Sequence, residues 1–161
     1  MKTGDVLLFI GGEDLIDDCI KAEGHSVYTH AALAVNSTSF VEAWWDGARL
    51  STLEGRNNIV VFSPIIPLTE DQQYELIGYC RGKIGEQYNF LQLAGFLYEK
   101  LFGTTHNPFG SPHETICSQL VIQGYRDLLG IDLLPGIEDY SVTPSDLALS
   151  KLLRQEASTC Q

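Results

Sequence analysis

Basic residues are scarce in this chain. Ten lysines and arginines stand against 21 aspartates and glutamates, a formal charge of −11 at neutral pH, which repels nucleic acid and anionic bilayers at long range. A nucleic-acid partner is therefore disfavoured. Long apolar runs are also lacking. Val6 to Ile10 is too brief for a signal-peptide core or a spanning helix, and the apolar stretch Phe90 to Phe102 is too short to cross a bilayer. The expectation is no cleavable signal, no spanning segment and a cytoplasmic place of synthesis, with export by a signal-less route left open. The four cysteines, Cys19, Cys80, Cys117 and Cys160, lack the spacing of a metal site or a disulfide framework, so reduced thiols are expected. Nothing in the composition calls for a second domain or a long linker, and one domain over residues 1–161 is the reading.

What is present reads as an α+β chain. Val6–Ile10 is β-branched and apolar between glycine-marked turns, and predicts a buried strand. Leu15 to Glu23 has helical spacing, with Cys19 a packed small hydrophobe. His30–Val35 and Ser39–Trp44 predict a hairpin with its tip at Asn36-Ser37-Thr38. A three-residue tip sets Ala34 opposite Phe40 and Ala32 opposite Glu42, and leaves His30 on the face of Glu42 at a diagonal of roughly 7–8 Å. An even-numbered tip would send Glu42 to the other face. After a turn at Asp46-Gly47 come Ala48-Arg49-Leu50 and a strand over Asn57–Phe62 ending before Pro64, completing a mostly antiparallel sheet. Thr69 caps a helix that stops around Gly82, with Tyr74, Leu76, Ile77 and Cys80 inside it. Phe90–Phe102 reads as a buried or cleft-lining helix, with a lid or a lipid-facing surface as the alternative. A last short helix opens at Thr143-Pro144 and runs to about Leu153.

The stretch Glu114–Val121 places a cysteine in the first turns of a helix starting at Pro112 or Thr115. There unpaired N–H groups and the helix dipole bias a thiol towards thiolate. Ile116, Leu120, Val121, Gly124 and Leu128 share one arc with Cys117 near its middle, so Cys117 points at the sheet, and Gly130 ends the helix. Singly, each residue has a plainer reading: Cys117 as core, His30 as a satisfied polar residue at a strand end, Glu42 as exposed. Together they supply a nucleophile, a base and a carboxylate to orient the base. Ala32 and Ala34, on the face of His30, are small enough to admit a helix N-terminus. His113-Glu114 and Cys117 mimic a zinc-protease motif but lack a placed third ligand, so no metal is expected. His25 and His106 have no partner at readable spacing.

Six segments, in order, are Gly4-Asp5-Val6-Leu7-Leu8, Tyr28-Thr29-His30-Ala31-Ala32-Leu33, Phe40-Val41-Glu42-Ala43, Gly85–Phe90, Ile116–Val121 and Thr143–Leu147. They resemble the motifs of the permuted NlpC-type papain-fold cysteine hydrolases, the YiiX/YebB-like group, related to the lecithin retinol acyltransferase-like proteins. The resemblance implies a papain-like α+β fold in which an antiparallel sheet packs against the nucleophile-bearing helix. It implies Cys117 as nucleophile, His30 as base, Glu42 as third polar residue and Tyr88 as an aid to the oxyanion, with Tyr28, Trp44 and Ser118 as candidate substrate contacts. Asn89 and Gln119 depart from the family's commoner aspartate and glutamate. The implied activity is thiol-dependent hydrolysis of an amide in a small peptide or acyl substrate, a cell-wall peptide among them, with no cofactor. A lipid acyltransferase or thioesterase, kept in view by Tyr28, Trp44, Trp45 and Phe90–Phe102, is the alternative, and a catalytically silent binding module is a third reading. Oligomeric state is not legible.

Overall fold

The computed structural model describes residues 1–11, 27–44, 47–85 and 117–157. Five strands come first: Val6–Ile10 (β1), Tyr28–Ala34 (β2), Ser39–Trp44 (β3), Gly47–Thr52 (β4) and Ile59–Pro64 (β5). Three helices, Glu70–Lys83 (α1), Cys117–Gln123 (α2) and Pro144–Ala148 (α3), precede a short strand, Leu153–Gln155 (β6). The strands form one antiparallel sheet ordered β4-β3-β2-β1-β5-β6. The chain is thus a mixed α/β structure with few described helices.

Strand alternation divides the core in two. One face turns Val6, Leu8, Ala31, Leu33, Val41 and Ala43 towards Leu76 and Cys80 of α1 and Cys117, Leu120 and Val121 of α2. The other carries Leu7, Phe9, Ala32, Ala34 and Phe40. The helices therefore pack over Ala31 and Leu33. No described helix packs over Ala32 and Ala34, because one step along a strand reverses the face.

The hairpin has the odd register: Ala34 pairs with Phe40, Leu33 with Val41 and Ala32 with Glu42. Asn36 builds the tip, its side-chain oxygen accepting the backbone N–H of Thr38 (2.8 Å) and Ser39 (2.7 Å), an Asx turn that needs no glycine. The connection between β4 and β5 carries the chain from one edge of the sheet across three strands. Leu53 and Ile59, at its two ends, pack on the second cluster.

Several elements differ from the sequence expectation. β5 runs through Pro64, which pairs with Leu153 at the end of the ladder, where proline's missing N–H is tolerated. The helix capped by Thr143 ends at Ala148, and Leu153–Gln155 is an edge strand instead. Tyr74 lies exposed on α1. The segment after α2, Gly124–Leu128, is a π-helical turn; its wider winding breaks the 100° arc, and Leu128 turns outward at 38% exposure. Gly124 lets this turn sit against α1 and β2, where an added Cβ would lie 3.1 Å from Leu76 and Tyr79. The expected helices over Leu15–Glu23 and Phe90–Phe102 lie outside the described residues.

Candidate active site

Cys117 is the first described residue of α2 and is 8% exposed. His30 lies on the opposite face of the sheet, packed edge-on against Phe9 (5.0 Å between centroids) and Trp44 (5.1 Å). The two meet because the sheet opens between them. β2 and β3 pair only from Ala32 to Ala34, although β2 starts at Tyr28 and β3 continues to Trp44. Beside the opening the β1–β2 register also breaks: Phe9 pairs with His30 but Ile10 with Tyr28, leaving Thr29 as an extra residue. Tyr28 consequently faces Phe62 and the helix side, while His30 faces Phe9.

The opening also supplies donors. Across the hairpin Val35 N–H donates to the Ser39 carbonyl, whereas Ala34 N–H donates to Asp5 on the β1 side, so by alternation Ala31 directs its N–H towards β3. The β2–β3 ladder has ended there, and the N–H of Ala31 donates to the sulfur of Cys117, as does that of Ser118. Burial opposes a charged sulfur. The His30 charge, its hydrogen bond and the two amides outweigh it, and the thiol is held below its ordinary value.

His30 Nε2 lies 3.1 Å from Oε2 of Glu42, which leaves Nδ1 for the sulfur. Burial works against the imidazolium, but Cys117 and Glu42 together raise it from 6.5 to about 9. The contact thus favours the charged forms of both partners, the imidazolium of His30 and the thiolate of Cys117. Glu42 is 0% exposed, not the exposed residue its plain reading implied. Its Oε1 accepts from Arg49 Nε (3.1 Å), Ser51 Oγ (2.7 Å) and Arg56 Nη2 (2.9 Å), and its Oε2 from Arg56 Nη1 (3.4 Å) as well as His30. Burial would raise its pKa; the His30 and Ser51 bonds and the His30 and Arg56 charges hold it at about 2.

Cys117, His30 and Glu42 are thus brought together, with Trp44 against the His30 ring. Ser118 is not turned towards a cleft. Its side chain is 1% exposed and its hydroxyl donates to the Val142 carbonyl, so only its backbone faces the sulfur. Tyr28 packs beside the helix-side cluster. Tyr88, Trp45, His25, His106, His113 and Glu114 lie outside the described residues. Sequence reasoning missed Arg49, Ser51 and Arg56. Extending the strand pairing past the Asp46-Gly47 turn would have found the first two, since β4 sets Arg49 opposite Glu42 and Ser51 opposite Phe40. No local signal marks Arg56.

No family model matches the sequence, and no curated protein sequence matches it. Among solved structures the chain is similar to the crystal structure of the metalloprotein YiiX from Escherichia coli O157:H7, with a TM-score of 0.70 over 97% of this chain and 96% of that one, at 18% sequence identity. The described residues of this chain do not fit a bound ion. No group of three or more His, Cys, Asp and Glu among them could hold one, and a cation at Glu42 would meet two guanidinium groups. No described helix is long and apolar enough to cross a membrane. The likeness extends over nearly the whole of both chains, and this chain has a YiiX-like fold.

Proposed function

We propose that the protein is a thiol-dependent hydrolase of the permuted papain-like type, related to the NlpC-type and lecithin retinol acyltransferase-like proteins. The observation that carries this reading is Cys117, on α2, beside His30, whose Nε2 lies 3.1 Å from Oε2 of buried Glu42. The motif order of base, carboxylate and nucleophile supports the permutation.

In this mechanism the Cys117 thiolate attacks a substrate carbonyl, forming a carbon–sulfur bond. The carbonyl oxygen becomes an oxyanion, bonded by the Cys117 backbone N–H, with the Tyr88 hydroxyl as a second donor. His30 gives its proton to the leaving amine as the carbon–nitrogen bond breaks, and a thioester remains. Neutral His30 then takes a proton from water, or from another acceptor, which attacks the thioester and releases Cys117. Glu42 keeps the imidazole in its tautomer and orientation throughout.

The substrate class proposed is an amide in a small peptide, including cell-wall peptides. Incubation with wall peptides, isopeptides and acyl esters, read by intact mass for an acyl adduct on Cys117, tests the reading. Transfer of an acyl chain from esters alone would favour the lipid acyltransferase alternative. No adduct and no turnover with any class would leave a silent binding module.

A further inference from the structure

Glu42 receives more positive charge than orienting one imidazole requires. Its single carboxylate faces two guanidinium groups, Arg49 from β4 and Arg56 from the β4–β5 connection. Arg56 is the better placed of the two. It reaches both carboxylate oxygens, is 27% exposed against 39% for Arg49, and lies over the rings of Phe9 (5.4 Å) and Phe40 (5.3 Å). Those rings belong to β1 and β3. Between them runs β2, whose residues on this face beyond His30 are only Ala32 and Ala34, and this is the space the guanidinium uses. Gly55, at φ +75°, and the Arg56 N–H bond to the Leu53 carbonyl (3.0 Å) shape the turn that delivers it.

We propose that Arg56 is a positioning residue for His30: by gripping both oxygens of Glu42 it offsets the carboxylate's charge while leaving Oε2 as a hydrogen-bond acceptor. The imidazole is then oriented without being locked in its protonated form. A buried carboxylate with less counter-charge would hold the His30 proton more tightly and slow its delivery to a leaving group. Among the described residues, the groups facing His30 are Cys117 from α2, Glu42 and Trp44 from β3 and Phe9 from β1, with Arg49 and Arg56 behind Glu42. The charge balance at His30 is therefore set by Cys117 and by how fully Glu42 is neutralised. This inference rests on the hydrolase reading.

Alkylation of Cys117 by iodoacetate across the pH range reads the His30 proton without a substrate. The reagent is an anion, so its reaction falls as the imidazolium beside the sulfur is lost. In the unsubstituted protein that falling limb is expected near pH 9. Arg56→Ala should move it upward by about one pH unit, and Arg56→Lys, which restores charge without the two-point grip, should move it less. Where Arg56→Ala fails to fold, Arg56→Gln carries the same expectation. A limb that stays in place while the rate falls equally at every pH, or one that moves down, overturns the role of Arg56 and leaves the hydrolase reading standing. An unsubstituted protein whose Cys117 reacts with neither iodoacetate nor iodoacetamide below pH 8 overturns both.

Discussion

The sulfur of Cys117 and the ring of His30 approach each other from opposite faces of one sheet, through the opening where β2 and β3 part. The contact holds the thiol below its ordinary pKa despite its burial. At pH 7 iodoacetamide should label Cys117 and spare Cys80, which is buried without an opposing partner and pushed up to about 12. In His30→Ala burial is less opposed, and labelling of Cys117 at pH 7 should fall by about tenfold or more. Peptide mapping by mass checks this, and equal labelling in both proteins would contradict the ion pair.

Acid should destabilise the fold through Glu42. Its folded pKa, about 2, lies below the ordinary 4.5. A depressed value means that the stability it contributes is present above pH 4.5 and is lost as pH falls towards 2. The amount is roughly 3 kcal/mol. Urea midpoints at pH 7 and pH 3 should differ by about 2 kcal/mol of it, since the folded carboxylate is still ionised at pH 3. Glu42→Gln should shrink that difference and, by leaving Arg49 and Arg56 without a counter-charge, cost about 3 kcal/mol at pH 7.

Ser118→Ala should lower stability by about 1–2 kcal/mol, because the Val142 carbonyl would lose its hydroxyl partner inside the core. The rate of Cys117 alkylation should stay within about twofold, since the backbone N–H that faces the sulfur is retained. A large rate loss with unchanged stability would instead make the hydroxyl a substrate contact.

Gly124→Ala places a methyl 3.1 Å from Leu76 Cδ1 and Tyr79 Cε1. Both side chains must shift, at a cost of about 1–3 kcal/mol, and the strain falls on the turn directly behind the nucleophile's helix. A thermal melt reads the cost. An unchanged midpoint would mean that α1 yields freely at this crossing.

The hairpin and its register were legible because alternation along a strand admits only two answers, and one of them unites His30 with Glu42. The helix caps at Thr69 and Thr143 were legible because each motif satisfies its own backbone locally. What escaped was decided at long range. The π-helical winding that expels Leu128, the ending of α3 at Ala148 in favour of β6, and the arrival of Arg56 over Ala32 and Ala34 all depend on neighbours distant in sequence. The candidate triad was readable only in combination, since Cys117, His30 and Glu42 each have a plainer reading alone and the hairpin register is what sets the last two on one face. Its arginine clamp was not, since Arg56 belongs to a connection whose path is set by the strand order.

The three-pair ladder between β2 and β3 makes sheet and sulfur rivals for one donor. Continued by a single step inward, the same register would set Ala31 against Ala43, and the Ala31 N–H would go to a peptide carbonyl in place of Cys117. Any sequence change that zips the hairpin shut would therefore take one of the donors that favour the thiolate away from the sulfur, while leaving Cys117, His30 and Glu42 untouched.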